Sequence, residues 1–188
     1  MKDNKIKIVA LFGPAGSGKD YLVKKTINGE YIKKERVFEI ISQTTRPPRE
    51  NEKDGVDYYF KTENDFLLDI NTNNLLEWTI FRDWYYGTNL YALDEDKINI
   101  GVFNVQGIQT LLKDDRIEIY PVAIKASAKT RLIRQLTREE NPNIGEIFRR
   151  YDADERDFSF IDFKYTIIEN EDGSNAYLEL ANFINSLY

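Results

Sequence analysis

A run of β-branched and apolar residues, Ile6 to Phe12, stops at Gly13-Pro14 and continues through Ala15-Gly16-Ser17-Gly18-Lys19-Asp20 into the helix-like stretch Asp20 to Ile27. This order constrains the fold more than any other part of the chain. A strand feeding a glycine-rich turn into a helix N-terminus matches the G-x-x-x-x-G-K pattern, in which backbone amides and the helix dipole face a polyphosphate and the lysine reaches its outer oxygens. Gly13, Pro14, Ala15, Gly16, Ser17, Gly18, Lys19 and Asp20 are therefore expected to surround the phosphates of ATP. Asp20 stands where a serine or threonine ordinarily offers a hydroxyl to magnesium. Its carboxylate either binds the Mg2+ that accompanies ATP, directly or through water, or serves the helix dipole from the first turn. The residues leave both readings open.

Three further apolar stretches, Val37 to Ser42, Ile98 to Val105 and Ile117 to Ile124, read as buried parallel strands, and Tyr165 to Ile168 as another. Helical patterns at Gln106 to Lys113, Ala128 to Glu139 and Asn175 to Leu187 alternate with them. The alternation predicts a three-layer α/β fold around a mostly parallel five-stranded sheet. Residues 43–90 break the rhythm. They are rich in Tyr, Phe and Trp, with short alternating runs at Val56 to Phe60 and Leu75 to Phe81, and read as a small, mainly β insert with its own pocket.

No repeat, low-complexity tract or linker divides the 188 residues, so a single domain is expected. The chain has no cysteine and no histidine. That excludes a disulfide framework, thiolate chemistry, an imidazole base and a histidine zinc site. The work falls to carboxylates, lysine, arginine, hydroxyls and backbone amides. A net charge of −6 argues against a general nucleic-acid binder, which needs many cations to displace counterions from phosphates. The charged start, followed by only a short apolar run, argues against a signal peptide or a membrane span and for a cytoplasmic protein.

A second constellation follows. Ser42-Gln43-Thr44-Thr45-Arg46-Pro47-Pro48-Arg49 is succeeded by Asp54-Gly55-Val56-Asp57-Tyr58-Tyr59-Phe60, then Leu76-Glu77-Trp78, then Trp84-Tyr85-Tyr86-Gly87-Thr88. Two arginines three apart, stiffened by Pro-Pro, are able to present forked donors to one phosphate. Together with the phosphate loop, this ordered set resembles guanylate kinase over most of the chain, from Ile6 to about Asn170. The resemblance implies that Arg46, Arg49, Tyr58 and Tyr86 hold the phosphate of GMP or dGMP, while Ser42, Glu77 and Thr88 address its base. The chemistry of Glu77 suits that role. Guanine shows N1–H and an amine side by side, whereas adenine turns an unprotonated nitrogen to the carboxylate, a difference of about 1.5–3 kcal/mol per charged hydrogen bond.

Six of the eleven arginines fall between residues 131 and 156. Arg131, Arg134 and Arg138 share one helical face, and Arg149 follows a break at Asn141-Pro142-Asn143. In guanylate kinases the similar region is a mobile lid, so the resemblance makes Arg134, Arg138 and Arg149 catalytic alongside Lys19 and Arg46. The plainer reading is surface ion pairing with Glu139, Glu140, Glu146, Asp152, Asp154 and Glu155. On these grounds the core is expected at 1–42, 91–130 and 157–188, the acceptor insert at 43–90 and the lid at 131–156.

Two departures from the family stand out. Ile100-Gly101-Val102-Phe103-Asn104-Val105-Gln106-Gly107 is similar to the family's D-x-D-x-Q-G strand end, with Val102 and Asn104 in place of both acids. Asn104 thus falls near the acceptor nucleotide without a charge, while Asp20 adds one across the same cleft. Ile167 to Asp172 is similar to the family's I-V-N-D-D segment near the donor adenine, shifted by one residue, which leaves the donor-base contacts unassigned. The resemblance implies transfer of the γ-phosphoryl of ATP to GMP or dGMP. Two alternatives stay open: a silent module holding a phosphorylated partner, and a nucleoside monophosphate kinase with altered base or sugar choice.

Overall fold

The computed structural model describes residues 5–188 apart from positions 50, 82, 139 and 159. A five-stranded sheet, all parallel, forms from β1 (Ile6–Phe12), β2 (Val37–Glu39), β7 (Ile98–Val102), β8 (Ile117–Lys125) and β9 (Thr166–Glu169). Its order is β2-β7-β1-β8-β9, so β1 is central. The central strand is buried on both faces, which explains its uninterrupted apolar run. Val9 and Leu11 face a core shared with Leu22 and Val23 of α1 (Lys19–Ile27) and with Leu180, Ala181 and Ile184 of α6 (Ala176–Asn185). Ile8, Ala10 and Phe12 face the opposite core, closed by Ile108 and Leu111 of α3 (Val105–Leu111).

A second sheet takes β3 (Gln43–Thr44), β4 (Tyr59–Phe60), β5 (Leu75–Phe81) and β6 (Trp84–Asn89) in the order β4-β3-β6-β5. It contains a helix that the expectation of a mainly β insert left out, α2 (Glu63–Asn71). Thr62 caps it, its hydroxyl accepting from the Asp65 amide at 3.2 Å. Phe66 of that helix is fully buried and meets Tyr85 at 5.3 Å between ring centroids.

Three strand expectations are corrected. The stretch Val37 to Ser42 is only half strand: β2 ends at Glu39, and residues 40–42 lead across to β3 in the second sheet. β7 ends at Val102 rather than Val105, because Asn104 caps α3 and Val105 is already helical. Of Val56 to Phe60 only Tyr59 and Phe60 pair as a strand, the preceding residues forming a turn in which Gly55 donates to the Tyr58 carbonyl at 2.8 Å. Two helices complete the chain, α4 (Ala128–Thr137) and α5 (Ile144–Asp157). No described helix is long and apolar enough to cross a membrane.

Candidate nucleotide site

The phosphate loop hangs from the end of β1. Phe12 is boxed there by Phe158, Phe163 and Tyr165, at ring-centroid distances of 6.0, 5.6 and 5.4 Å, so the first residue of the loop leaves from a fixed point. Gly18 closes the loop with φ 88°, and a β-carbon there would stand 2.5 Å from the Asn170 side-chain nitrogen. Only glycine suits both the angle and the contact. Asn170 is buried and donates from Nδ2 to the Ser17 carbonyl at 2.7 Å, pinning the loop from β9.

Lys19 opens α1 and folds its ammonium back to donate to the carbonyls of Gly13 and Pro14, at 2.7 and 3.1 Å. Burial holds its pKa below the ordinary lysine value, with Arg131 and Arg150 acting in the same direction and Asp20 and Asp154 against it. Asp20 is exposed in the first turn of α1. Its charge reaches Lys19, Lys24, Glu39 and Tyr58. Among the described residues no group of three or more His, Cys, Asp or Glu is placed to hold a metal. A single acid beside the loop nevertheless fits magnesium, which ordinarily arrives on nucleotide phosphates with one or two carboxylates rather than in an all-protein cage.

In the insert, Arg46 and Arg49 converge on one carboxylate that the sequence reading passed over. Arg46 donates to both oxygens of Glu52, at 2.7 and 3.0 Å, and Arg49 reaches it at 3.3 Å, while the Arg49 amide donates to it at 2.9 Å. The guanidinium of Arg46 also lies over the Tyr58 ring at 5.6 Å, and Tyr58 meets Tyr86 edge to face at 6.1 Å. Burial pushes the Tyr58 phenol up, so it stays a neutral donor. The two arginines, both tyrosines and Glu52 thus form one cluster.

Ser42, Glu77 and Thr88 also come together. The Ser42 and Thr88 hydroxyls are 3.4 Å apart, and Thr88 is the cross-strand partner of Glu77. Glu77 is 6% exposed, and burial pushes its carboxyl up to about 7 against the hydrogen bonds it receives from Thr88. α3 approaches it so closely that a β-carbon on Gly107 would lie 2.8 Å from Glu77 Oε2 and 3.2 Å from Asn104 Oδ1. Asn104 caps this helix by accepting from the Gly107 amide at 2.6 Å. It therefore stands beside the predicted base-reading group, although its own side chain is committed to the cap.

The arginines expected of a lid divide by partner. Arg134 reaches the Ser17 carbonyl at 3.5 Å and Asp172 at 2.8 Å. Arg138, exposed at the end of α4, lies near enough to depress the Arg49 pKa. Arg149 pairs with Glu146 and lies 5.8 Å from the Phe81 ring. Its neighbour Arg150 pairs with the same glutamate, yet its charge depresses the pKa of both Lys19 and Arg49. A tandem Arg-Arg on a helix points two ways, and only the register set by the Asn143 cap of α5 tells which one faces the loop. Surface pairing with Glu146 is therefore found for Arg149 and Arg150, whereas Arg131 pairs with Asp154 out of solvent. Glu139 and the Glu155 side chain lie outside the described residues.

The shifted segment after β9 also acquires partners. Asn170 goes to the loop, Glu171 accepts from the Ser127 amide and the Thr130 hydroxyl at the start of α4, and Asp172 takes Arg134. Between this segment and α1 runs a groove lined in part by Gly18, Tyr21, Lys25, Arg134, Asn170 and Tyr177.

A family model described as guanylate kinase matches residues 5–187. A guanylate kinase of Malacoplasma penetrans is 34% identical over 183 residues, covering 93% of this chain and 90% of its own length. One of Campylobacter jejuni (strain RM1221) is 31% identical over 169 residues, covering 87% and 81% respectively. The crystal structure of guanylate kinase from Anaplasma phagocytophilum superposes with a TM-score of 0.70 at 20% identity, covering 98% of this chain and 87% of that one, a likeness of fold.

Proposed function

The chain belongs to the guanylate kinase family, and we propose on that premise that it transfers the γ-phosphoryl of ATP to GMP or dGMP, giving ADP and the nucleoside diphosphate. The donor's phosphates lie in the loop of residues 13–20, against its amides and Lys19. The groove beside Tyr21 and Asn170 takes the donor base. The acceptor's phosphate replaces part of what Glu52 now gives Arg46 and Arg49, with Tyr58 and Tyr86 as neutral donors. Glu77, flanked by Ser42 and Thr88, accepts from guanine N1–H and its amine.

Asp20 is the residue that would hold magnesium, which when bound neutralises charge on the donor phosphates. An acceptor phosphate oxygen is already nucleophilic, so a chain without histidine lacks nothing the reaction needs. Positioning and charge do the work, supplied by Lys19, Arg46, Arg134, Arg138 and Arg149, with Arg150 added. The observation that carries the reading is that Arg46 and Arg49 converge on a single carboxylate, Glu52, as they would on the oxyanion of an acceptor phosphate. A cytoplasmic location goes with substrates of this kind.

A coupled assay of ADP formation from ATP across the ribo- and deoxyribonucleoside monophosphates tests this directly. GMP or dGMP is expected to be used best by a wide margin. Equal turnover of AMP, or no turnover of any acceptor, would remove the reading.

A further inference from the structure

One buried ion pair beside the loop has no part in the reaction just described. Arg131 of α4 is 7% exposed, and its guanidinium lies over the Tyr151 ring at 4.6 Å. Its Nη1 stands 3.4 Å from Oδ2 of Asp154 in α5, and its Nε finds no hydrogen-bond partner among the described residues. The same Asp154 oxygen accepts from the Ala15 amide, inside the phosphate loop, at 2.8 Å. Asp154 also acts electrostatically on Lys19. One carboxylate therefore draws on a loop amide, a lysine and an arginine together, the set of donors that an oxyanion of a nucleotide seeks.

We propose that Asp154 is an internal anion that competes with the donor nucleotide's phosphates for the Ala15 amide, Lys19 and Arg131, and so limits how tightly the donor binds. The inference rests on reading the loop as the donor site. Like charges cannot share a partly desolvated cradle without cost, and the donor's polyphosphate carries several charges to one for the carboxylate. Burial already pushes the Asp154 carboxyl above the usual carboxylate range, against the Ala15 amide, Lys19 and Arg131, so its charge is held there at the expense of hydration. When a polyphosphate takes the loop, Asp154 gives way, and Arg131 passes to the incoming oxyanion with its free Nε as an additional donor.

Calorimetric titration of the full chain with ATP and with inorganic pyrophosphate decides the matter. Asp154→Asn keeps an acceptor for Ala15 but removes the charge, and is expected to bind both ligands about tenfold more tightly, less so at high salt. Arg131→Met keeps an unbranched side chain beside Tyr151 but removes the guanidinium and leaves Asp154 unopposed, and is expected to bind both more weakly. Affinity for GMP should move in neither variant. Opposite signs are the signature, since a pair with a merely structural role would weaken binding in both. Asp154→Ser provides a second neutral variant should the first unfold, and must show the same gain. Unchanged or weaker ATP binding by the neutral variants of a wild-type protein that binds ATP overturns the competition alone. A wild-type protein that binds neither ATP nor pyrophosphate overturns the loop reading along with it.

Discussion

In the phosphate loop the donors are main-chain amides, their directions set by backbone angles, and the chain grips the loop from outside through Asn170 on Ser17. In the insert the donors proposed for the acceptor are mainly side chains, and two of them, Arg46 and Arg49, are tied together by Glu52. The first device is rigid by construction, because a left-handed glycine such as Gly18 leaves the chain little choice. The second must be pre-organised by a counter-charge, at the expense of having that counter-charge beside the ligand. The charge of Arg150 acts on both Lys19 and Arg49. The contrast implies that damage at the loop appears in turnover, whereas damage at the insert appears in acceptor affinity and choice.

The severest break is Lys19→Ala. Removing the one lysine inside the loop should lower kcat by roughly a hundred- to a thousandfold, as loss of a group aimed at developing charge does. The melting temperature should hardly move, because the ammonium bonds only to carbonyls of its own loop. A fully active variant would end the phosphate-loop argument.

Next comes the insert. Arg46→Ala should raise the KM for GMP by roughly ten- to a hundredfold, the worth of one charge-assisted fork, with a smaller effect on kcat. Glu52→Gln should raise it too, by about threefold to tenfold, by loosening both arginines at once without removing either. An unchanged KM in the Glu52 variant would mean that the arginines are pre-organised by something else, and the contrast between the two devices would lose its main support.

How much of this was legible beforehand follows the same division. The strand, loop and helix around Gly13 to Lys19 were readable because every feature needed is local: an apolar run, glycines at set places, a lysine at the end. The edges of the core sheet were less so. Val37 to Ser42 reads as one apolar strand, but where a chain leaves one sheet for another is decided by partners far away, here Ile100 for Ile40 and Gly87 for Gln43. Helix α2 was missed although Thr62 and Asp65 form a capping pair, because the aromatic density around it suggested strands. Ser42, Glu77 and Thr88, grouped from the family pattern, lie together. Glu52 and Asp154 were not so grouped, since nothing in a charged residue's neighbourhood along the chain says which partner it will meet 6 or 139 positions away.

Glu77 sharpens the comparison through pH. Its carboxyl, raised to about 7, is protonated in a growing fraction of molecules below that value. A protonated carboxyl gives up an acceptor and turns a donor toward the donors of guanine, so if Glu77 reads the base, GMP binds the ionised form. The KM for GMP should therefore rise as the pH falls from 8 to 6, by up to about tenfold per unit once below the pKa. Glu77→Gln should flatten that profile and cut the preference for GMP over AMP by about tenfold. Unchanged discrimination would mean that the base is read elsewhere.

The smallest effect bears on whether Asp20 is a relocated acid. Asp20 is exposed at the start of α1, and Asn104 accepts from the Gly107 amide beside Glu77. If Asp20 supplies the negative charge that the family places at position 104, Asp20→Ser should lower kcat by about threefold to tenfold, and Asn104→Asp in that background should restore most of it. The second substitution leaves the cap intact, since aspartate caps a helix as well as asparagine, so a change in stability would not confuse the reading. Asn104→Asp alone should lower kcat, because two acids then face one polyphosphate. Coupling of this sign, at least about 0.5 kcal/mol in a double-mutant cycle on kcat, supports a relocated acid. Strict additivity makes Asp20 a first-turn residue that serves the helix dipole and nothing more.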